Sequence, residues 1–329
     1  MTELVVGMED AVLLVQAHRG GWQAEERLQG RRITCVAADA ADPGRVLCGT
    51  FGEGLWRSTD GGETWERVGE GVVGEQVTAV AVHAGVVYAG TEPSLVFRSE
   101  DGGTTWRALP GLLELPSRTT WSFPPRPHTH HVRWIAPDPH AADFLLVAIE
   151  AGALVRSPDG GSTWLDRVPG GPYDAHTVLL HPRTPGRVYV AAGDGYFESW
   201  DRGQTWTQPE EGLEHLYLWG VAVHPEDPDT VLVSAASGPY AAHNARGARS
   251  FVYHRPKGSF WRPVMHGLPD PEGTTVSALA ADPRRSGVVY AANNRGIYRS
   301  EDFGLHWERL EIPWDVRYEF QRVEGLVVR

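Results

Sequence analysis

One motif governs what this chain can fold into. The pattern Ser-x-Asp-x-Gly-x-Thr-Trp occurs as Ser58–Trp65, Ser99–Trp106, Ser157–Trp164 and Ser199–Trp206. A fifth copy, Ser300–Trp307, keeps Ser, Asp, Gly and Trp and carries His306 in place of Thr. Two worn copies, Gly20-Gly21-Trp22 and Gly258-Ser259-Phe260-Trp261, keep the glycine and the tryptophan. Trp22, Trp65, Trp106, Trp164, Trp206, Trp261 and Trp307 thus mark seven units. Such a period signals an array of supersecondary units, each too small to bury its own apolar face.

Each unit reads the same way. An apolar run such as Val77–His83 comes first, then a turn that often holds proline, as at Asp138-Pro139 and His181-Pro182. A second run follows, such as Val188–Ala192; a third, such as Leu55–Ser58, enters the motif, and the tryptophan opens a fourth. Short runs joined by Gly/Pro turns make a four-stranded antiparallel meander, and Gly 38 and Pro 24 suit that architecture. Seven meanders predict an all-β, seven-bladed β-propeller forming a single domain. The predicted blades are 1–29 completed by 321–329, then 31–69, 76–110, 131–168, 174–208, 216–265 and 274–311. The first blade begins at its second strand; Arg322–Val328, after the last motif, supplies its innermost strand and closes the ring, removing two open sheet edges. Within the motif, Asp accepts main-chain N–H groups, Gly takes backbone angles closed to other residues, and Trp packs between sheets. Asp60, Asp101, Asp159, Asp201 and Asp302 are therefore expected to be structural.

The formal net charge of -12 repels phosphate backbones, so nucleic acid is not an expected partner. No basic run or long apolar stretch suits a membrane. Met1–Val15 has no basic leader, and Glu9 and Asp10 interrupt its apolar run; the expectation is a monomeric, cytoplasmic protein. Cys35 and Cys48 flank a turn at Ala41–Gly44 and are expected to be buried free thiols.

The motifs resemble the Asp-box, or BNR, repeats of a propeller superfamily that includes sialidases, xyloglucanases, sortilin-type receptors and photosystem II assembly factors. The resemblance covers nearly the whole chain and implies boxes on the periphery of one face, with ligands on the other, around the central axis. Sialidases of this superfamily use three arginines for a carboxylate, a Tyr/Glu nucleophile pair, an Asp acid and an Arg-Ile-Pro signature. Here Arg32-Ile33-Thr34 lacks the proline; Arg133 and Arg322 fall at similar points of other blades, and no Tyr/Glu pair stands out. Sialidase activity is therefore not expected. A xyloglucanase would have two propellers and a secretion signal.

Unequal Trp-to-Trp intervals of 43, 41, 58, 42, 55 and 46 residues locate two insertions. One is the link Pro110–His131, with Trp121, His128 and His130; the other is the loop Ser237–Ser250, with Tyr240, His243, Asn244, Arg246 and Arg249. Both map to the face away from the boxes, where long loops tend to be functional. The first residues of the innermost strands join them: His131 and Arg133, Asp174 and His176, Tyr217 and Trp219, Arg322 and Glu324, with Arg32, Thr34, Gln76, Thr78, Thr275 and Ser277 elsewhere. Loops between second and third strands add Glu53, Glu92, Glu150, Asp194 and Asn293–Arg295.

Such a mouth suits a small polar or sugar-like ligand bound by His130, His131, Arg133, Tyr217, Trp219, His243, Arg246 and Arg322. Glu150 and Asp174, with His176, could act on a glycoside as acid and base, with Tyr217 and Trp219 stacking on sugar. Alternatively His131, His176 and His243, with a carboxylate, could hold a divalent transition metal, although no HxxxH or CxxC spacing supports it. A third reading is a non-catalytic scaffold holding a protein partner on the same face. No motif demands an organic cofactor; neither a phosphate-binding glycine loop nor a Gly-x-Ser-x-Gly elbow is present.

Overall fold

Apolar runs with small residues on alternate positions, such as Val46–Thr50 and Val188–Ala192, become the fully buried second strands of seven antiparallel sheets. The computed structural model describes residues 3–329. The blade assigned to 1–29 therefore begins, in the described structure, at Glu3, and residues 1–2 lie outside it. Five sheets have four strands each. In the other two the outermost strand shrinks to one bridge, Arg156↔Leu165 and Glu198↔Thr207. The seven-bladed propeller expected from the motifs is the fold observed. No helix of the described residues is long and apolar enough to cross a membrane.

Ring closure is as expected. Val323–Val328 pairs antiparallel with Glu3–Met8, with Val5 opposite Val327, and lies innermost in the order that continues through Val12–His18 to Gly21–Arg27. The core is seven packed interfaces between blades. Trp106, for example, packs on Leu55, Val73 and Phe97 of its own and the preceding blade. At Gly90 the second strand of one blade meets the innermost strand of the next with no room for a side chain: a Cβ there would lie 2.5 Å from Val132 Cγ1.

Each Asp box closes on itself. Ser58 Oγ accepts the Gly62 N–H at 2.7 Å and donates to Asp60 Oδ1 at 2.8 Å, while Asp60 accepts the Thr64 N–H at 2.9 Å. The Thr64 hydroxyl donates to the second Asp60 oxygen, and Trp65 Nε1 donates to the Gly62 carbonyl. These bonds, the one from the Thr64 hydroxyl foremost, hold the Asp60 carboxyl down to about 2. In the fifth box His306 Nδ1 takes the place of the threonine hydroxyl on Asp302, at 2.5 Å. Both cysteines are free and buried, and burial pushes the Cys35 thiol up to about 12.

Candidate functional site

Six of the seven innermost strands carry a β-bulge at their mouth. Thr34, Thr78, Arg133, His176 and Glu324 are each the extra residue against an unbroken partner strand, and Trp219-Gly220 contains the sixth. A bulge re-aims its side chain out of the sheet alternation. Three of these side chains then reach sideways to the main chain of the next blade: Thr34 Oγ1 to Val77 O, Thr78 Oγ1 to Val132 O, and His176 Nδ1 to Leu218 O. Arg133, Trp219 and Glu324 line a central cavity of about 660 Å³, whose wall also includes Thr34 and Thr78.

A chain of charge crosses the cavity wall. Arg126 grips Glu92 with two bonds, at 2.7 and 2.5 Å. His131 lies between Glu92, 3.8 Å from Nδ1, and Glu150, 2.9 Å from Nε2; Arg133 Nε is 3.6 Å from the same Glu150 oxygen. Burial works to raise the Glu150 carboxyl, but the His131 hydrogen bond and the charges of His131, His176 and Arg133 hold it well below the usual range. An ionised carboxylate only accepts, so His131 Nε2 carries the donated proton. Across the cavity, burial and the charge of Glu324 raise Glu9, with Arg322 opposing. Arg322 donates to Glu324 at 2.6 Å.

The aromatic groups brace this polar set. The Arg133 guanidinium lies 4.3 Å from the Trp219 ring centre, and His243 and His176 stand 4.2 and 4.7 Å from it. His243 Nε2 is 3.1 Å from the Tyr217 hydroxyl, and burial, then the charge of Arg322, keeps this imidazole neutral. Trp219 is 7% exposed, so it is no open platform for a sugar ring.

Among the residues singled out by sequence, the cavity wall contains His131, Arg133, Glu150, Asp174, Tyr217, Trp219, His243 and Arg322. His176 is buried just behind it, 3.6 Å from Asp174 Oδ2. Two of the eight expected ligand-binding residues lie outside that wall. His130 packs edge-on against Trp121, its Nδ1 3.4 Å from the Ser94 N–H, and Arg246 lines a side groove with Pro239, Asn244 and Phe320. The expected metal set of His131, His176 and His243 does not assemble, because Glu150 engages His131 and Tyr217 engages His243. The group whose ligand atoms converge, all within 4.8 Å, is Glu150, Asp174 and His176. Of the loop residues, Asp194 accepts the Tyr173 and Asp174 N–H groups, and Asn294 is spent on Thr275, Gly273 and Glu319.

Glu9, Asp10 and Phe51 also line the cavity and were not singled out, as do Phe123 and Arg126 of the Pro110–His131 insertion. Glu9 and Asp10 form the turn between the second and third strands of the first blade, the same loop class as Glu53, Glu92 and Glu150. Extending that rule to the incomplete blade would have found them.

Comparison with known proteins agrees with the fold. The family model described as BNR-Asp box repeat matches residues 297–310. A curated xyloglucanase of Hypocrea jecorina (strain QM6a) is 23% identical over 175 residues, covering 50% of this chain and 21% of that protein. The chain thus spans about a fifth of that relative's length. The solved GH74 xyloglucanase from Xanthomonas campestris superposes with a TM-score of 0.66 at 18% identity, covering 93% of this chain and 52% of its own. The structure of YCF48 bound to D1 peptide gives 0.61 at 17% identity, covering 91% and 93%. By architecture this chain is a seven-bladed β-propeller, and residues 297–310 match the BNR-Asp box repeat.

Proposed function

We infer that the chain binds a small polar ligand bearing a carboxylate, of the acidic-sugar class, in the cavity opposite the Asp boxes. The carrying observation is a set of guanidiniums laid on aromatic rings. Arg32 lies 4.4 Å from the Phe51 ring centre, Arg126 4.7 Å from Phe123 and Arg133 4.3 Å from Trp219. A stacked guanidinium is held flat and presents its N–H fork to a carboxylate with little entropy left to lose. Arg126 and Arg133 already face Glu92 and Glu150, whereas Arg32 has no carboxylate partner among the described residues. The volume, about 660 Å³, suits a small molecule. Glu9, Asp10 and Asp174 supply acceptors for hydroxyl groups around the same cavity. The likeness to xyloglucanases supports the sugar part of the reading.

A glycosidase pair is less well supported. Glu150 and Asp174 stand close enough, but Asp174 Oδ1 is committed to the Ala151 N–H at 2.8 Å and the Trp219 face is covered. A second reading, an extended peptide, is favoured by the groove that leaves the cavity at Pro239 and His243 past the exposed Phe320. YCF48, solved with a D1 peptide, is a propeller of the same architecture.

The test is a thermal-shift and calorimetry panel of neutral oligosaccharides, uronic and sialic acids, and short peptides with free C-termini, run on wild type and Arg32→Ala. Arg32 is exposed, so its loss leaves the fold intact. Stabilisation by the acidic sugars that weakens roughly tenfold or more in R32A supports the reading, a charge-assisted bond being lost. Stabilisation by peptides alone supports the second, and no response to any acid rejects both.

A further inference from the structure

His176 is fully buried, and its Nε2 has no hydrogen-bond partner. The other ring nitrogen is already committed. Nδ1 lies 2.6 Å from the Leu218 carbonyl, which can only accept, so Nδ1 carries a proton and Nε2 is the ring nitrogen left to bind a metal. Nε2 faces Asp174 Oδ2 at 3.6 Å and the Glu150 carboxylate, and neither is in hydrogen-bond contact with it. Three ligand atoms converging within 4.8 Å, one of them on a buried and unpartnered imidazole nitrogen, can enclose a cation between them.

The geometry points to a divalent transition-metal site in which His176 Nε2, Asp174 and Glu150 are the ligands. An imidazole whose far N–H is given to a main-chain carbonyl is how metal-binding histidines are oriented. The carboxylates are supported in the same way. Asp174 Oδ1 takes the Ala151 N–H at 2.8 Å, which leaves Oδ2 for the metal, and Glu150 takes the His131 N–H at 2.9 Å. Gly193 completes the cradle: a Cβ there would press into Asp174 Oδ2 and come within 3.3 Å of His176 Cε1. The 3.6 Å separation of His176 and Asp174 is close to the ligand–ligand edge of about 3.4 Å set by tetrahedral bonds of about 2.0–2.1 Å.

One imidazole with two carboxylates suits zinc, cobalt or manganese rather than the all-oxygen shell of calcium or magnesium. Two carboxylate charges also balance the dication. Three protein ligands leave a fourth position, and Glu150, Asp174 and Tyr217 all line the central cavity, so that position opens onto it. The site does not depend on the acidic-sugar reading; a bound metal would add a Lewis acid beside whatever occupies the cavity.

The experiment uses the full chain purified without a metal-affinity step, stripped with chelator and titrated with zinc and with cobalt. About one equivalent per chain is expected, with a visible cobalt absorption band and a zinc-dependent rise in melting temperature. Asp174→Asn and Glu150→Gln should each weaken zinc binding roughly tenfold or more and alter the band, while Arg32→Ala should not. The carboxylate variants keep side-chain shape, and their metal-free melting curves establish that they fold. Substoichiometric binding by the wild type, or a stoichiometry and cobalt spectrum unchanged in both carboxylate variants, overturns the proposal. Neither result touches the ligand panel, whose decisive residue is Arg32.

Discussion

His176 Nδ1 donates to the main-chain carbonyl of Leu218 at 2.6 Å, from the mouth of one blade to the innermost strand of the next. With the Thr34–Val77 and Thr78–Val132 bonds it belongs to a belt that ties neighbouring blades around the cavity. His176→Phe would keep the contacts to Tyr217 and Trp219 but leave a buried carbonyl unpaired. The expected cost is about 1–3 kcal/mol, read as a lower urea midpoint with chelator present. His176→Asn, which can still donate, should lose less. Equal midpoints for wild type and H176F would show that the belt bond contributes nothing.

The Asp boxes predict acid sensitivity. Hydrogen bonds, from Thr64 on Asp60, and from His306 on Asp302 against an opposing burial effect, hold these two carboxyls at about 2. Their folded values lie below the unfolded value of about 3.9, so the unfolded chain binds more protons in between. The stabilisation is therefore present above about pH 4 and is lost as pH falls through about 2. Melting temperatures from pH 5 to pH 2 should drop for the wild type. A D60N/D302N double variant should start lower at pH 5 and fall less steeply; parallel curves would mean that the boxes do not carry the acid transition.

How much of this was legible in sequence depends on what each residue answers to. Seven tryptophans count blades because each must fill an identical gap between sheets. The closing strand at Val323–Val328 was legible because an apolar run after the last box has only one open edge to join. Cavity residues could be aligned from the turns at the far ends of their strands, and most of them do line the wall. Three things were hidden. The bulges add one residue per strand without changing any sequence pattern, yet they decide that His176 bonds to the next blade while Arg133 faces the cavity. The partner of each histidine depends on neighbours far away in the chain, so a His131–His176–His243 triad looked as plausible as the observed Glu150–Asp174–His176 group. Trp219 looked like a sugar platform because nothing local reveals that Arg133, from two blades earlier, covers its face.

His254 predicts a second, milder pH effect. It is 4% exposed, both ring nitrogens lack partners, and burial, then the charge of Arg262, pushes it down to about 4. The unfolded value is about 6.5, so protons favour the unfolded chain below that. Stability is full above about pH 6.5 and declines as pH falls toward about 4. Replacing His254 with leucine removes the protonation and keeps the contact with Phe303. The melting temperature of the wild type should fall by several degrees between pH 7 and pH 5, and that of H254L by less. A larger fall in H254L would place the titrating group elsewhere.

Ring closure supplies the strongest prediction. Val323–Val328 pairs with Glu3–Met8 along its length, with Leu4 opposite Val328 and Val6 opposite Leu326. Leu326 and Val328 also pack on the cluster containing Met8, Val288 and Tyr290, which joins the first and last blades. Removing residues 323–329 would strip the inner edge of a buried sheet, leave a row of main-chain groups unpaired and open the interface to the seventh blade. It would also remove Glu324, the partner of Arg322 at the cavity wall. A fall in melting temperature well beyond the few degrees typical of a surface deletion is expected, with aggregation through the exposed edge. Adding a synthetic peptide of residues 321–329 should restore part of the lost stability, because the edge it leaves is a template for one strand of that sequence. A truncated chain that melts with the wild type, or one that a scrambled peptide rescues equally well, would mean that closure does not hold the ring together.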